Sequence, residues 1–333
     1  MSNQDSSSRK LDHIQLAFES QLLHSDQRFH YEPLFSAHPY SDLPEISFAG
    51  RIMNAPIWIS SMTGGAEKAA KINQLLAEVA AEFGLGMGLG SCRPVIEGSS
   101  FAADFKVRKF IKNQPLFANL GIAQIEELFA LGKADELNRL VGDLEADGLI
   151  VHVNPLQEWC QPEGDRYMHS PLDTIKRVLD CLSSAVIVKE VGQGFGPSSL
   201  RALSELPLEA LDYGAFGGTN FSKLENLRRD ELEQEWMAPV QFIGHSAPEM
   251  TDWMLDILSD EPSNFRCKHI LVSGGISNYL DGYYHLRKLP VSSLYAQASP
   301  FLKMALLGEE KLHQYVKNQI EGLKMAYAFL TVK

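Results

Sequence analysis

The sequence predicts an α/β protein, a (β/α)8 TIM barrel with an N-terminal extension and an insertion after strand 6. Short apolar runs alternate eight times with longer amphipathic stretches. The runs lack a strict apolar–polar alternation, as is typical of parallel strands covered on both faces. The chain has 333 residues, a length that one barrel accommodates, since this fold spans roughly 200 to over 400 residues. A doubly wound open sheet is the alternative.

Each predicted strand ends at a glycine or a polar residue, and a predicted helix follows it. The strands cover 55–61, 86–91, 115–121, 148–154, 185–192, 208–214, 268–275 and 292–299. The helices that follow them cover 67–83, 101–111, 122–131 with 136–145, 172–182, 198–206, 248–258, 278–288 and 301–307. The long gap after the sixth strand is the predicted insertion.

We expect one domain over residues 1–333, with the barrel over 55–307. Residues 1–54 form an extension that covers the barrel or joins a neighbouring subunit, and 308–333 form a C-terminal helix that runs from Glu309 to about Phe329. The formal net charge of −12 argues against general nucleic-acid binding, which requires a basic face. No apolar run approaches the roughly 20 residues of a membrane span. The four cysteines form no CxxC pair, so a cytoplasmic, reducing location is expected.

Active sites of this fold lie at the C-terminal ends of the strands. The fourth predicted strand ends in HVNPLQE, where His152 and Asn154 share one face because a strand has period two. Gln157 and Glu158 follow in the loop. A magnesium ion prefers one or two carboxylates with water and phosphate oxygens, so Glu158 is a candidate metal ligand. A buried polar pair followed by a solvated loop is the alternative.

Lys189 and Glu190 interrupt the fifth apolar strand, where a charge is costly unless it is paired or functional. Successive side chains point to opposite sides, so only one of the two can face the barrel interior. If Lys189 points inward, it can neutralise an anionic ligand; otherwise it simply reaches solvent.

Glycine-rich turns follow three predicted strands, and each lets backbone N–H groups approach a phosphate closely. They are SMTGG over 61–65, FGGTN over 216–220 and SGGIS over 273–277. Cations that suit a diphosphate form a group at the N-terminus and follow the second strand. These cations are Arg9 and Lys10, with His13, and Arg93. A solvated basic patch is the alternative for the N-terminal group.

Taken together, RKLDHI, SMTGG, GLGSCR, NLG, HVNPLQE with QPEGD, VKEVGQG and GGTNF occur in this order. In this respect the chain resembles the type 2 isopentenyl-diphosphate isomerases, from Arg9 to about Glu225 and more loosely to Leu302. The resemblance implies reversible isomerisation of isopentenyl diphosphate to dimethylallyl diphosphate with reduced FMN and Mg²⁺. It also implies NADPH as the reductant of the flavin and a homo-oligomer, a tetramer or octamer.

By matching motif, the resemblance assigns a role to each site residue. Gln157, His152 and Lys189 are the expected catalytic residues, and Glu158 holds the metal. The expected substrate-binding residues are Arg9, Lys10, His13, Ser91, Arg93, His152, Asn154 and Gln157. The FMN-binding residues expected by motif are Met62, Thr63, Gly64, Ser91, Asn119, Lys189 and Thr219. To these we add Gly274, Gly275, Ala296 and Gln297, whose backbone N–H groups could hold the FMN phosphate.

The sequence departs from the family pattern near the expected FMN phosphate. Ser277 stands where the family usually has Arg, Gly214-Ala215 replaces Ser-Gly, and the turn after the eighth strand reads YAQA over 295–298. Two other functions therefore stay open. One is an FMN-dependent 2-hydroxy-acid oxidoreductase on the same barrel, and the other is a non-catalytic protein that binds flavin or diphosphate.

Overall fold

Eight parallel strands close into a barrel in the computed structural model, which describes residues 3–60 and 69–333. All eight predicted strands are present, and the sheet is closed rather than open. Each strand pairs with its neighbours in sequence, and the last barrel strand pairs with the first. The barrel strands are β4 Ile57–Ile59, β5 Gly86–Gly88, β6 Leu116–Gly121, β7 Gly148–Val153, β8 Ala185–Glu190, β9 Ala210–Asp212, β10 His269–Ser273 and β11 Ser293–Gln297.

The helices surround the barrel and bury their apolar faces against the strands. The predicted insertion after the sixth barrel strand contains two helices and a 3₁₀ turn over Ala238–Phe242. The helices are α1 Asn3–Leu16, α2 Ala69–Phe83, α3 Arg93–Ile96, α4 Arg108–Ile111, α5 Ile122–Ala130, α6 Asp135–Asp143, α7 Pro155–Cys160, α8 Pro171–Cys181, α9 Pro197–Ser204, α10 Phe221–Leu227, α11 Glu231–Met237, α12 Ala247–Asp260, α13 Tyr279–Lys288, α14 Ser299–Leu307 and α15 Glu309–Phe329. No described helix has the length and apolarity needed to cross a bilayer.

An antiparallel hairpin of β2 Ile46–Phe48 and β3 Arg51–Met53 closes the N-terminal end of the barrel. Phe48 is fully buried and packs against Trp58 and Phe117 inside the barrel, with ring centroids 5.1 and 5.8 Å away. The backbone N–H of Ala49 donates to Glu209 just before β9. Part of the N-terminal extension therefore covers the end of the barrel opposite the expected active site.

One predicted helix differs from the structure. Residues 101–111 contain a 3₁₀ turn over Ser100–Phe105 and the short α4, because the backbone N–H groups close i→i+3 bonds there and the chain turns at Lys106. The final helix, predicted over 309–329, is present as α15 and ends at Phe329. Leu330–Val332 form β12, whose backbone pairs with β1 Phe29–Tyr31.

Candidate active site

A layer of apolar side chains fills the barrel, and polar side chains follow it towards the C-terminal end. Because a strand has period two, the residue two positions beyond each luminal apolar residue points the same way. Trp58, Phe117, Ile150, Ile187, Ala210, Leu271 and Leu294 form the apolar layer. Two residues further along the same strands lie Ser60, Asn119, His152, Lys189, Asp212, Ser273 and Ala296. The strand geometry thus aims these residues into one mouth.

Four predicted residues meet at the end of β7, and we call His152, Asn154, Gln157 and Glu158 the β7 cluster. The Asn154 amide donates to Gln157 Oε1 over 3.1 Å and to Glu158 Oε1 over 2.9 Å. Pro155 starts α7 and fixes the backbone so that Gln157 and Glu158 lie on the first turn, above Asn154. The structure therefore brings the predicted amides and carboxylate together.

His152 is held as a neutral ring. Its Nδ1 lies 2.8 Å from Asn119 Oδ1, and the Asn119 amide N–H donates to the Leu89 carbonyl. With its amide oriented in this way, Asn119 accepts from Nδ1–H and leaves Nε2 as an acceptor. Burial, together with the charge of Lys189, lowers the pKa of His152 to about 4.

Arg93 joins the β7 cluster through Asp165. The guanidinium lies 3.6 Å from Asp165 Oδ2, and the Asp165 backbone N–H donates to Glu158 Oε2 over 2.8 Å. The loop after β5 and the loop after β7 are therefore tied together at the mouth. Arg93 also pairs with Glu97, and its side chain is half exposed.

Two acidic residues that the sequence analysis did not single out belong to this mouth. Glu225 on α10 is buried and accepts a 3.3 Å hydrogen bond from the Gln157 amide, and it pairs with Arg228. Asp212 is fully buried at the end of β9, with Oδ2 4.0 Å from Lys189 Nζ. A charge inside an apolar strand was the available signal for Asp212, as it was for Lys189.

Lys189 faces the barrel interior and Glu190 faces away from it, as the strand period requires. Lys189 is in register with His152 on β7 and with Asp212 on β9. Its Nζ donates to the Glu190 carbonyl over 2.6 Å. The Glu190 carboxylate accepts from the backbone N–H groups of residues 192–194 and so fixes the loop after β8.

A cavity of about 450 Å³ opens beside Lys189. Five other predicted residues line it: Thr219, Gly274, Gly275, Ala296 and Gln297. Backbone makes up much of its wall, and we call residues 217–219 with 274–275 the glycine cradle. Gly274 has φ +85°, and a Cβ there would lie 1.9 Å from the Ala215 carbonyl oxygen. A Cβ on Gly217, at φ +116°, would lie 3.0 Å from Gly275 Cα. Only glycine lets the two loops approach so closely.

The Gln297 side chain turns away from the cavity and fastens the cradle to the outer helices. It donates to the Ile276 carbonyl over 3.0 Å and accepts from the Tyr315 hydroxyl of α15 over 2.7 Å. The carboxylate of Asp281, on the first turn of α13, accepts from Ser277 N over 2.9 Å and ties the loop after β10 to that helix. The described cavity wall contains one cationic side chain, that of Lys189.

The structure does not join all predicted residues to the mouth. Arg9, Lys10 and His13 lie exposed on α1, and no hydrogen bond or ion pair within the described chain links them to the barrel. Ser91 is exposed after β5 and does not line the described cavity wall. Met62, Thr63 and Gly64 lie outside the described residues. The roles of these residues stay predictions.

We expect Tyr167→Phe to destabilise the β7 cluster. The Tyr167 hydroxyl donates to Asn154 Oδ1 over 2.7 Å and accepts from the Asn154 backbone N–H over 3.1 Å. Leaving these buried groups unpaired costs about 1–3 kcal/mol of unfolding free energy, measurable by urea denaturation. Tyr31→Phe is the control, since Tyr31 is exposed. Equal midpoints for the two variants would contradict this assignment.

A closed parallel barrel whose mouth gathers an imidazole, two amides, carboxylates and a lysine defines a (β/α)8-barrel enzyme. The chain is 33 % identical over 325 residues to an isopentenyl-diphosphate delta-isomerase of Synechocystis, a match covering 96 % of this chain and 90 % of the relative. An isopentenyl-diphosphate delta-isomerase of Ignicoccus hospitalis is 31 % identical over 345 residues, covering 98 % and 90 %. The chain belongs to the type 2 isopentenyl-diphosphate delta-isomerase family and is an isomerase.

Solved structures with a similar fold include flavoenzymes. A mandelate oxidase variant with an FMN adduct matches 92 % of this chain and 88 % of its own, with a TM-score of 0.60 and 12 % identity. A flavocytochrome b2 variant with sulfite matches 90 % and 71 %, with a TM-score of 0.62 and 12 % identity. At this identity the likeness establishes the fold alone. No protein-family model matches the chain.

Proposed function

We propose that the protein interconverts isopentenyl diphosphate and dimethylallyl diphosphate with reduced FMN and Mg²⁺. The observation that carries the proposal is the register of His152 with Lys189. Because these two residues are side by side on neighbouring strands, the β7 cluster lies next to the cavity beside Lys189. The β7 cluster suits a magnesium-held diphosphate, and the cavity suits a flavin.

The residues around the cavity fit an FMN. The glycine cradle exposes backbone N–H groups, which suit a phosphate, and Thr219 and Ser299 hold their hydroxyls 2.9 Å apart beside it. Ser60 lines the cavity, and its Oγ is buried without a hydrogen-bond partner in the described chain. Buried polar groups are normally paired, so this atom indicates a polar ligand at this place.

The β7 cluster would bind the diphosphate through a shared metal. Within the described residues no group of three or more His, Cys, Asp or Glu side chains could hold a metal by itself. Glu158 would therefore contribute one carboxylate, and the substrate phosphates and water would complete the magnesium shell. Arg93 is linked to Glu158 by Asp165, which contacts both side chains, and would add positive charge near the diphosphate.

Isomerisation moves a double bond by adding a proton at one carbon and removing one from another. Reduced FMN, when bound, supplies an electron-rich ring that stabilises the positive charge developing on the alkene. Lys189 would hold the flavin edge and stabilise its anionic form. Gln157, fixed between Asn154 and Glu225, would orient the substrate, and the clamped diphosphate would provide remote binding energy.

The direct test is conversion of isopentenyl diphosphate by purified protein with FMN, Mg²⁺ and NADPH, followed by product analysis. We expect dimethylallyl diphosphate only when flavin and reductant are present, because the proposed mechanism requires the flavin in its reduced form. Full activity without flavin would overturn the mechanism. Anaerobic mixing of the FMN-loaded protein with mandelate tests the oxidoreductase alternative, and we expect no flavin reduction.

The Ser277→Arg variant should bind FMN about tenfold more tightly. The described cavity wall places no arginine near the cradle, and a guanidinium fork contributes charge-assisted hydrogen bonds to phosphate. The measurement is quenching of flavin fluorescence on titration. Riboflavin, which lacks the phosphate, is the matched ligand and should bind both proteins equally. An equal gain for riboflavin would show that the phosphate lies elsewhere.

We further propose a cytoplasmic homo-oligomer, a tetramer or octamer, in which NADPH reduces the flavin. All four cysteines are free, which suits a reducing compartment. Large apolar side chains are exposed along the N-terminal extension, including Phe18, Leu22, Leu23 and Phe35. Such side chains are typical of surfaces that another subunit covers. Light scattering during size-exclusion chromatography tests the assembly.

A further inference from the structure

Asp212 has no part in the reaction proposed above, although it is a fully buried carboxylate at the mouth. One carboxylate oxygen, Oδ1, is fixed by the Ser273 hydroxyl and by the backbone N–H of Gly214, at 3.3 Å. The Ser273 hydroxyl in turn accepts from the same Gly214 N–H over 2.8 Å. The end of β10 and the loop after β9 therefore set the orientation of the Asp212 carboxylate.

This orientation leaves Oδ2 facing Lys189. Oδ2 is buried, it has no hydrogen-bond partner in the described chain, and it lies 4.0 Å from the Lys189 Nζ. The ammonium donates at the same time to the Glu190 carbonyl over 2.6 Å. Lys189 is thus held between a carbonyl of its own strand and a carboxylate of the next strand, beside the cavity.

The pair is electrostatically coupled. Burial raises the pKa of Asp212, and the charge of Lys189 acts in the opposite direction. A carboxylate buried this completely would take up a proton if its cation were removed. With Lys189 present, the two charges largely cancel, so a ligand in the cavity meets an ion pair rather than an isolated cation.

We propose that Asp212 is a positioning residue for Lys189, which holds the ammonium at the cavity edge and offsets its charge, and thereby lowers the reduction potential of the bound flavin. The proposal rests on the proposed function, since it requires FMN in the cavity. An unopposed ammonium would favour the anionic reduced flavin more strongly, because the added electrons place negative charge beside it.

The experiment compares the reduction potential of FMN bound to the wild-type protein and to Asp212→Asn, by equilibrium reduction against a reference dye. We expect a more positive potential in the variant, equivalent to about tenfold in the equilibrium constant for reduction, or about 30 mV for two electrons. Asp212→Ser, which is neutral and smaller, should shift the reduction potential in the same direction. It is included in case Asp212→Asn alone fails to fold.

Ser273→Ala is the matched control. It removes the hydroxyl that holds Asp212 but keeps both charges, so its potential should stay within about threefold of the wild type in the reduction constant. If the effect of Asp212→Asn came only from disturbed loops, Ser273→Ala would shift the reduction potential of the bound FMN as strongly. That result would overturn the proposal.

A double-variant comparison tests whether Asp212 acts through Lys189. In a Lys189→Met background the buried carboxylate is expected to be protonated, so adding Asp212→Asn should leave the potential unchanged. The same positive shift in both backgrounds would show a direct effect on the flavin and would contradict a positioning role. If the wild-type protein binds no FMN, the proposed function fails; if FMN binds and neither Asp212 variant shifts its potential, this inference alone fails.

Discussion

Replacing Glu158 with Gln is expected to lower kcat/KM for isopentenyl diphosphate by about a hundredfold or more. The described chain offers no cluster that could hold magnesium without the substrate, so the lost carboxylate has no substitute nearby. An amide keeps the shape but removes the charge that the metal requires, and because its NH₂ group cannot accept, it retains only one of the two bonds that Glu158 accepts from the Asn154 amide and the Asp165 backbone N–H. Loss of a metal's supporting groups typically costs 10- to 100-fold, and a direct ligand should cost at least as much.

The assay should be run over a range of Mg²⁺ concentrations, because weaker metal binding predicts partial recovery at high magnesium. Glu163→Gln is the matched control, since Glu163 is an exposed carboxylate that pairs with Arg228 near the same loop. Its activity should stay within about twofold of the wild type. Unchanged activity in Glu158→Gln would show that Glu158 is not a ligand of the metal.

The second large effect is expected for Lys189→Met, with activity falling by roughly 10²–10³-fold. Removing one preorganised electrostatic group from an active site typically has this cost. Lys189 is the one cation in the described cavity wall, so the anionic form of a bound flavin would lose its nearest stabilising charge. The flavin absorption spectrum at high FMN concentration separates lost chemistry from lost binding.

Lys133→Met serves as the control for Lys189→Met, because Lys133 is exposed between α5 and α6 and does not line the described cavity wall. It should retain wild-type activity. If Lys189→Met binds FMN and has activity close to that of the wild type, the lysine has no role in the reaction and serves only as the counter-charge of the buried Asp212.

The sequence predicted the barrel well because its signal is local and repeated. Each strand is an apolar run with a polar residue where the run ends, and the period of two then decides which side chains share the mouth. His152, Asn154 and Lys189 follow directly from this rule, and the structure places them at neighbouring strand ends. Glu158 followed from its position in the next turn.

Asp212 and Glu225 were missed for different reasons. Asp212 carried the same signal as Lys189, a charge in an apolar strand, but the strand is short and its charge lies two residues before a glycine. Glu225 lies in the insertion, on α10, where an acidic residue in a helix predicts a solvated face. Its burial against Gln157 depends on how the insertion folds back over the mouth, which is a long-range arrangement.

The hairpin of β2 and β3 also shows that local sequence patterns do not predict long-range contacts. Its strands and its turn at Ala49 and Gly50, both at positive φ, could be predicted locally. The destination of Phe48 could not, because only the closed barrel creates the apolar opening that it fills. Likewise the pairing of β12 with β1 joins the two ends of the chain, and no local pattern encodes it.

The backbone construction of the glycine cradle determines which substitutions around the cavity are tolerated. Where main-chain atoms rather than side chains form a pocket, exchanging charged groups around it alters its strength but not its shape. A single methyl group on Gly274, by contrast, would collide with the Ala215 carbonyl and push the two loops apart. Substitutions at neighbours such as Ser277 therefore change how tightly the pocket binds, while the pocket wall at Gly274 has no room for an added side-chain atom.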